Sequence, residues 1–415
     1  MNPVINKIVS LVIFVFGITS FGFSQIIAPD ADKKVFTDTI AGRVDPVYVF
    51  CSSTFAGDDT LVGLVAQTPG GITAQIEWSL YNDTAYVYEV PFLVETGVTS
   101  SVASDLPSGG YRVKMTDGAS LDTLFYVWVF VDRPFVKARI QQTTCDHLVL
   151  SGTALPAQYY YTDPTDSSRL NLKNGMGFEW TSDPESIIPG PTSYLNPLII
   201  DSPPYEDTWY TLTVTDSMGC TDLDTLFYHS IVTKADMEPQ PVTGEAPLEV
   251  DFVNNSKNAA AYYWDFGDEQ TSILETPETH TYYIPDEYKV TFATTSEEGC
   301  SDTLVYEFIK VDPSELSVPN VFTPNGDSYN DYFFVSAKSL RSLHVKVLTR
   351  NGRKIYDFNG EGDKLKSWKG WDGKIGGRSD AAPGVYYYII KAIGWDDIKY
   401  EGKLYRGTVY LLREK

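Results

Sequence analysis

Tyr210-Thr-Leu-Thr-Val-Thr-Asp-Ser-Met-Gly-Cys-Thr-Asp-Leu-Asp-Thr-Leu-Phe-Tyr228 is the stretch whose reading decides the fold. Tyr210, Leu212 and Val214 alternate with threonines, the period-two pattern of a strand with one buried face. Asp216-Ser-Met-Gly219 then supplies turn chemistry, and a second run returns through Leu223 to Tyr228. Strand, glycine-containing turn and strand make a β-hairpin. The pattern occurs twice more. Tyr111-Arg-Val-Lys-Met115 leads through Asp117-Gly-Ala-Ser120 to Tyr126, and Tyr288-Lys-Val-Thr-Phe292 leads through Ser296-Glu-Glu-Gly299 to Tyr306. The copies stand about 80 to 100 residues apart, the size of one immunoglobulin-like sandwich. The repeat predicts β-sandwiches in series over 26–134, 135–232 and 233–312, with a separate module over 315–415 after the linker Asp312-Pro-Ser-Glu-Leu-Ser317.

Composition agrees. Aromatics make up 14% of the 415 residues, and no long 3.6-residue apolar period occurs beyond the N-terminus, so the chain reads as all-β. Residues 1–24 read as a secretory signal peptide: Lys7, the apolar run Ile8 to Gly17, then small Gly22 and Ser24 before Gln25. Charge is divided. Residues 315–415 hold 17 Lys and Arg against 12 Asp and Glu, whereas the preceding chain holds 15 against 43. The acidic body argues against nucleic acid as a partner, because phosphate binding needs clustered cations. The basic C-terminal module suits docking onto an acidic partner or is an ordinary solvated surface.

Export permits disulfides. Of Cys51, Cys145, Cys220 and Cys300, the expected bridge is Cys145–Cys220, which closes a long loop inside one module. Cys51 and Cys300 are then left as free thiols. Catalysis finds no support. The four histidines are scattered over three modules, no two at metal-ligand spacing, and no nucleophile motif is present.

Val318-Pro-Asn-Val-Phe-Thr-Pro-Asn-Gly-Asp-Ser-Tyr-Asn-Asp331 opens the last module, with dense turn chemistry at Thr323 to Asp327 followed by an expected aromatic strand, Tyr332 to Val335. Arg350-Asn-Gly-Arg-Lys-Ile-Tyr356, Trp371-Asp-Gly373, Pro383-Gly-Val-Tyr-Tyr-Tyr388 and Gly407-Thr-Val-Tyr-Leu-Leu-Arg413 follow. Together these resemble the gliding-motility-associated C-terminal domain, a type B sorting module of the Bacteroidetes type IX secretion system. The resemblance implies that Pro319, Asn320, Phe322, Thr323, Pro324, Asn325, Gly326, Asp327, Asn330 and Asp331 form the sorting motif. It also implies partners in the secretion machinery and an outer-membrane type B docking protein, with the chain delivered to the cell surface. In the third sandwich, Tyr263-Trp-Asp-Phe-Gly-Asp268, Pro277 and His280-Thr-Tyr282 resemble the PKD domain, an immunoglobulin-like spacer or interaction module. Trp264 is read as its core.

No cofactor is expected. Asn325, Asp327 and Asp331 offer oxygens to calcium, or they form Asx-turns that hold a tight loop. The leading function is a secreted, non-enzymatic surface protein whose front modules are a stalk or bind a surface protein or glycan, with a possible place in a gliding or adhesion complex. Two alternatives stand beside it. A carbohydrate-binding accessory protein requires an exposed aromatic strip, for which Tyr159-Tyr160-Tyr161 is the candidate. A small hydrolase requires a clustered Asp, Glu and His site.

Overall fold

A computed structural model describes residues 25–39, 43–52, 62–162, 168–185, 188 and 192–413. The expected signal peptide lies outside the described residues. The all-β expectation holds, with 57% strand against 3% helix. The chain forms two compact units. One is the chain up to Thr143 with His147–Asp201 and Thr208–Tyr228, and the other is Thr144–Asp146, Ser202–Asp207 and His229 onward.

In the first unit, Gln25–Ile27, Leu64–Gln67 and Ser100–Ala103 form a three-stranded sheet. It faces a larger sheet ordered Lys33–Phe36, Pro46–Cys51, Asp122–Asp132, Gly109–Thr116, Ala74–Asn82 and Val87–Tyr88. Trp78 fills the space between them and donates its indole N–H to Ser101 Oγ of the opposite sheet at 2.8 Å. A second sandwich pairs Phe135–Thr143, His147–Leu155 and Leu198–Asp201 against Met176–Asp183, Thr208–Asp216 and Thr221–Tyr228, closed on Trp180.

A further cluster lies on the other side of the first sandwich's larger sheet. Pro46–Cys51 runs parallel to the end of Asp122–Asp132, and both strands are apolar on both faces. Tyr48, Phe50, Val127 and Val129 face the Trp78 core, while Val47, Val49, Trp128 and Phe130 face away from it. Those outward residues are covered by Tyr159, Tyr161, Met218 and Cys220, with Phe130 and Tyr159 rings 4.9 Å apart. This corrects the expectation of an exposed aromatic strip. Tyr159 and Tyr161 are each 1% exposed, and only Tyr160 reaches solvent. A ring burying about 150–250 Å² is worth roughly 4–6 kcal/mol gross at ~25 cal/mol per Å², so these two tyrosines are held in the interior.

The disulfides also differ from expectation. Cys51 is bonded to Cys220, and Cys145 to Cys300, so none of the four is free. The expected Cys145–Cys220 bridge does not form. Cys145 sits in the turn at one end of its hairpin, where Ser202 N–H donates to the Asp146 carbonyl. A bridge needs Cα atoms roughly 4.4–6.8 Å apart. Cys145 and Cys300 fall in the second compact unit and Cys51 and Cys220 in the first, so each bridge closes within its own unit.

In the second unit, Met237–Gln240, Leu248–Asn254 and His280–Tyr282 pack on a sheet ordered Thr243–Glu245, Ser301–Asp312, Glu287–Thr295, Ala261–Asp265 and Thr271–Ser272. Trp264 is buried at its centre, stacked on Phe292, and donates to the Leu274 carbonyl at 2.9 Å. The last module is a sheet ordered Val321–Phe322, Arg406–Leu411, Gly384–Gly394, Leu340–Leu348 and Lys354–Glu361. It closes on Trp371. Tyr332 to Val335 does not form a regular strand. Phe333 instead makes an isolated bridge to Trp371, while Phe333 and Val335 still alternate into the core. The linker is held rather than free. Ser314 N–H and Oγ both bond to the Asp396 carboxylate, and Glu315–Ser317 pairs with Ser336–Lys338.

Peptide mapping without reduction is expected to recover the Cys51–Cys220 and Cys145–Cys300 pairs, and a Cys145–Cys220 peptide would refute this connectivity. Removing the first bridge with Cys220→Ser is expected to lower stability by about 2–5 kcal/mol, read by chemical denaturation of the first unit.

Candidate functional site

The motif residues that run through the last module converge on one corner of it. Val321–Phe322 is a two-residue strand parallel to the C-terminal strand, with Val321 opposite Tyr410 and Phe322 opposite Leu411. Tyr410 N–H donates to the Asn320 carbonyl at 2.8 Å, and Leu412 N–H donates to the Phe322 carbonyl at 3.1 Å. Gly384 and Val385 of the Pro383-Gly-Val segment lie on the other side of that strand, opposite Leu411 and Tyr410. Three separated motifs therefore share one hydrogen-bonded corner, and a fourth, Trp371-Asp-Gly373, packs onto it. Phe322 is buried against Trp371, with centroids 5.2 Å apart.

Two glycines carry this approach. Gly370 has φ +95°, and a Cβ there would stand 2.8 Å from the Phe333 carbonyl oxygen. Gly373 has φ +73°, and a Cβ would meet Pro324 Cγ at 3.0 Å and Arg413 Nη2 at 3.1 Å. Any larger residue at either place pushes the Trp371 segment away from the motif.

The turn from Thr323 to Asp331 is held by its own acids. Asp331 Oδ1 accepts from the backbone N–H groups of Asn325 (2.9 Å) and Gly326 (2.7 Å), and Oδ2 accepts from Ser328 (2.8 Å). Asp327 Oδ1 accepts from the Tyr329 N–H at 2.7 Å, and its Oδ2 accepts from the Asn325 amide at 2.8 Å. Thr323 N–H closes the loop onto the Asn330 carbonyl at 2.8 Å. The Asp327–Tyr329 contact is an Asx-turn, whereas Asp331 reaches back to donors earlier in the loop, so the oxygens considered for calcium each hold a donor of the same loop. The Asn325 amide, with the Tyr329 N–H, holds the Asp327 carboxyl below the usual carboxylate range. Of the expected motif residues, Phe322 is buried, Pro319, Thr323, Pro324 and Asp331 are half-buried, and Asn320, Asn325, Gly326, Asp327 and Asn330 are exposed.

Trp368, which the sequence reading missed, and Arg413, the last residue of the C-terminal motif, support the corner. Trp368 is stacked between Phe334 and Phe358, and its indole N–H donates to Tyr356 Oη at 2.7 Å. Arg413 pairs with Asp380 at 2.7 Å and also donates to the Gly373 carbonyl. The unpaired spacing of Trp368 and Trp371 on a polar background was the available signal.

Each of the four histidines contacts one aspartate: His147 with Asp201, His229 with Asp207, His280 with Asp268 and His344 with Asp357. The pairs are spread across the fold. His280 is the most enclosed, stacked on Phe266 at 4.1 Å, which is a packing role. Among the described residues, no three His, Cys, Asp or Glu side chains gather as a metal site.

Asp331→Ala removes three backbone acceptor contacts, and it is expected to lower the local opening free energy of Val321–Phe322 and Arg406–Leu411 by about 1–3 kcal/mol in native-state hydrogen exchange. The pH dependence has a defined sign. Because the folded Asp327 pKa lies below its unfolded value of about 3.9, its contribution is present above about pH 4 and is lost as pH falls through the folded value. Asp327→Asn should therefore flatten the acid limb of protection at the same amides; an unchanged limb would count against this role for the carboxylate.

Residues 234–310 match the family model of the PKD domain, and residues 316–411 match that of the CHU_C type IX secretion signal domain. No curated protein matches the chain. Among solved structures, a Methanosarcina mazei protein studied by solution NMR is 31% identical over 21% of this chain and 59% of its own, with a TM-score of 0.18. The chain thus spans less than two thirds of that protein's length. A tetra-tandem repeat from the extending region of a large adhesion protein is 11% identical, covering 88% of this chain and 99% of its own, with a TM-score of 0.26. Sidekick-1 immunoglobulin domains 1–5 are 13% identical, covering 92% of this chain and 80% of theirs, with a TM-score of 0.26. The C-terminal part of this chain is accordingly a PKD domain followed by a type IX secretion signal domain.

Proposed function

We propose that the chain is a non-enzymatic surface protein that uses its last module as an export address and its front sandwiches as a stalk or binding surface. The signal domain carries the coarse part of this reading, export by the type IX route to the surface or exterior and contact with the secretion machinery. The finer part is the docking partner, an outer-membrane protein of the kind that receives type B sorting modules, and a role in adhesion or gliding. One observation favours it most. The motif residues build a single hydrogen-bonded corner whose turn, Asn325 to Asn330, stays on the surface where a receptor can reach it.

A binding role for the front modules is supported by their form. Each is a small sandwich with a filled core, an arrangement suited to presenting surfaces. A glycan-binding reading now rests on a different pair from the one first considered. Trp209 and Phe227 lie side by side across two strands of the second sandwich, 51% and 44% exposed.

Deleting residues 315–415 and probing intact cells with protease tests the export reading. The full chain is expected at the surface and the truncated chain inside the envelope. A truncated chain that still reaches the surface would overturn the reading.

A further inference from the structure

We propose that the outer face of the C-terminal sheet docks an acidic segment of an outer-membrane partner protein. The inference rests on the export reading above and names the face and the chemistry of its receptor.

The inner face of this sheet buries Val345, Val347, Ile390, Val409 and Leu411. Cross-strand register fixes what the outer face presents. Val321, Tyr410 and Val385 form one row; Thr408, Tyr387 and Leu348 form the next; Arg406, Ile389 and Lys346 form a third. Val321, Val385, Tyr387 and Tyr410 are 38–49% exposed, so nothing in this unit covers them. A concavity of about 470 Å³ opens there, lined by Leu348, Tyr387, Ile389 and Thr408, with Arg350 and Arg406 beside them. Among the described residues, no carboxylate lines it.

Arg341, Lys354, Lys391 and Arg413 each have an acidic partner within the module. Among the described residues, Arg350 and Arg406 have none. Several other cations of the module, Lys346, Arg353 and Arg378 among them, also have no ion pair among the described residues, and Arg350 and Arg406 are the two that line this concavity. Asp357, which lies opposite Lys346 in the sheet, already holds His344 and Lys354. Two guanidinium groups without counter-ions beside an apolar floor are complementary to carboxylates flanked by apolar side chains. Arginine binds carboxylate bidentately, and arginine with tyrosine is the composition of protein interface centres. A phosphate-rich surface would call for clustered cations without the apolar rows. The excess of cations in 315–415, 17 against 12, gives the same sign of attraction at long range.

The test compares three full-length variants in the native host. Arg350→Glu with Arg406→Glu is expected to reduce the surface-exposed fraction at least about tenfold, as lost charge-assisted contacts in a desolvated interface do. Its melting curve and both disulfides should be unchanged. Lys364→Glu with Lys366→Glu, on the short helix Gly362–Lys366, is expected to leave export as it was. The 315–415 deletion separates the two readings. If the deletion stays inside while the double arginine variant reaches the surface normally, the face is wrong and the export address stands; if the deletion reaches the surface, the export reading itself falls. A photo-crosslinking residue at Thr408 gives an independent readout that does not depend on charge reversal being tolerated. An adduct whose cross-linked peptide is an Asp- or Glu-bearing segment of an outer-membrane protein supports the proposal, whereas an adduct with a second copy of this chain or with lipid overturns it.

Discussion

Each sandwich in this protein closes on a single tryptophan with no exposure: Trp78, Trp180, Trp264 and Trp371. A module of about 80–100 residues has a small interior and is only marginally stable by itself. One large ring set between the sheets supplies much of the apolar area such a module can bury. The neighbouring contacts are arranged around it, including the Trp78 indole to Ser101, Phe292 under Trp264 and Phe322 against Trp371. A tyrosine in three of the four modules adds a corner lock. Tyr111, Tyr288 and Tyr386 each donate to the carbonyl four residues earlier, at 2.6, 2.6 and 2.7 Å.

Small cores explain the second feature, which is burial outside the sandwiches. In the first unit, Pro46–Cys51 and Asp122–Asp132 are apolar on both faces, and the Cys51–Cys220 bridge lies within the cluster they build with Tyr159 and Tyr161. The bridge closes a separation of 169 residues, so in the chain-entropy picture it restricts the unfolded ensemble strongly. In the second unit, Cys145–Cys300 spans 155 residues. Both bridges act over distances that no single hairpin could.

The sorting-module motifs take on a physical meaning in this light. Gly370, Gly373, Trp371 and Phe322 hold the corner together, and Asp331 and Asp327 hold the loop. A motif made mainly of such residues specifies a shape. The residues free to meet a receptor are fewer: the exposed turn, and the aromatic and arginine rows of the outer sheet face.

Local periodicity made the all-β class, the repeated hairpins and the Trp264 core legible in the sequence, because alternation and turn chemistry act between near neighbours. The resemblance in Val318 to Asp331 marked the C-terminal module for the same reason, as its turn is bonded within itself. The apolar runs Val47 to Cys51 and Tyr126 to Val131 already carried the sign of two-sided burial, though not the identity of what covers them. Tertiary structure alone decided that Tyr159 and Tyr161 are interior, that Cys220 meets Cys51 rather than Cys145, and that four distant motifs form one corner. Those outcomes depend on which ends of strands lie together. Two cysteines that share one sequence repeat fall in different compact units, and only the three-dimensional pairing of strands records it.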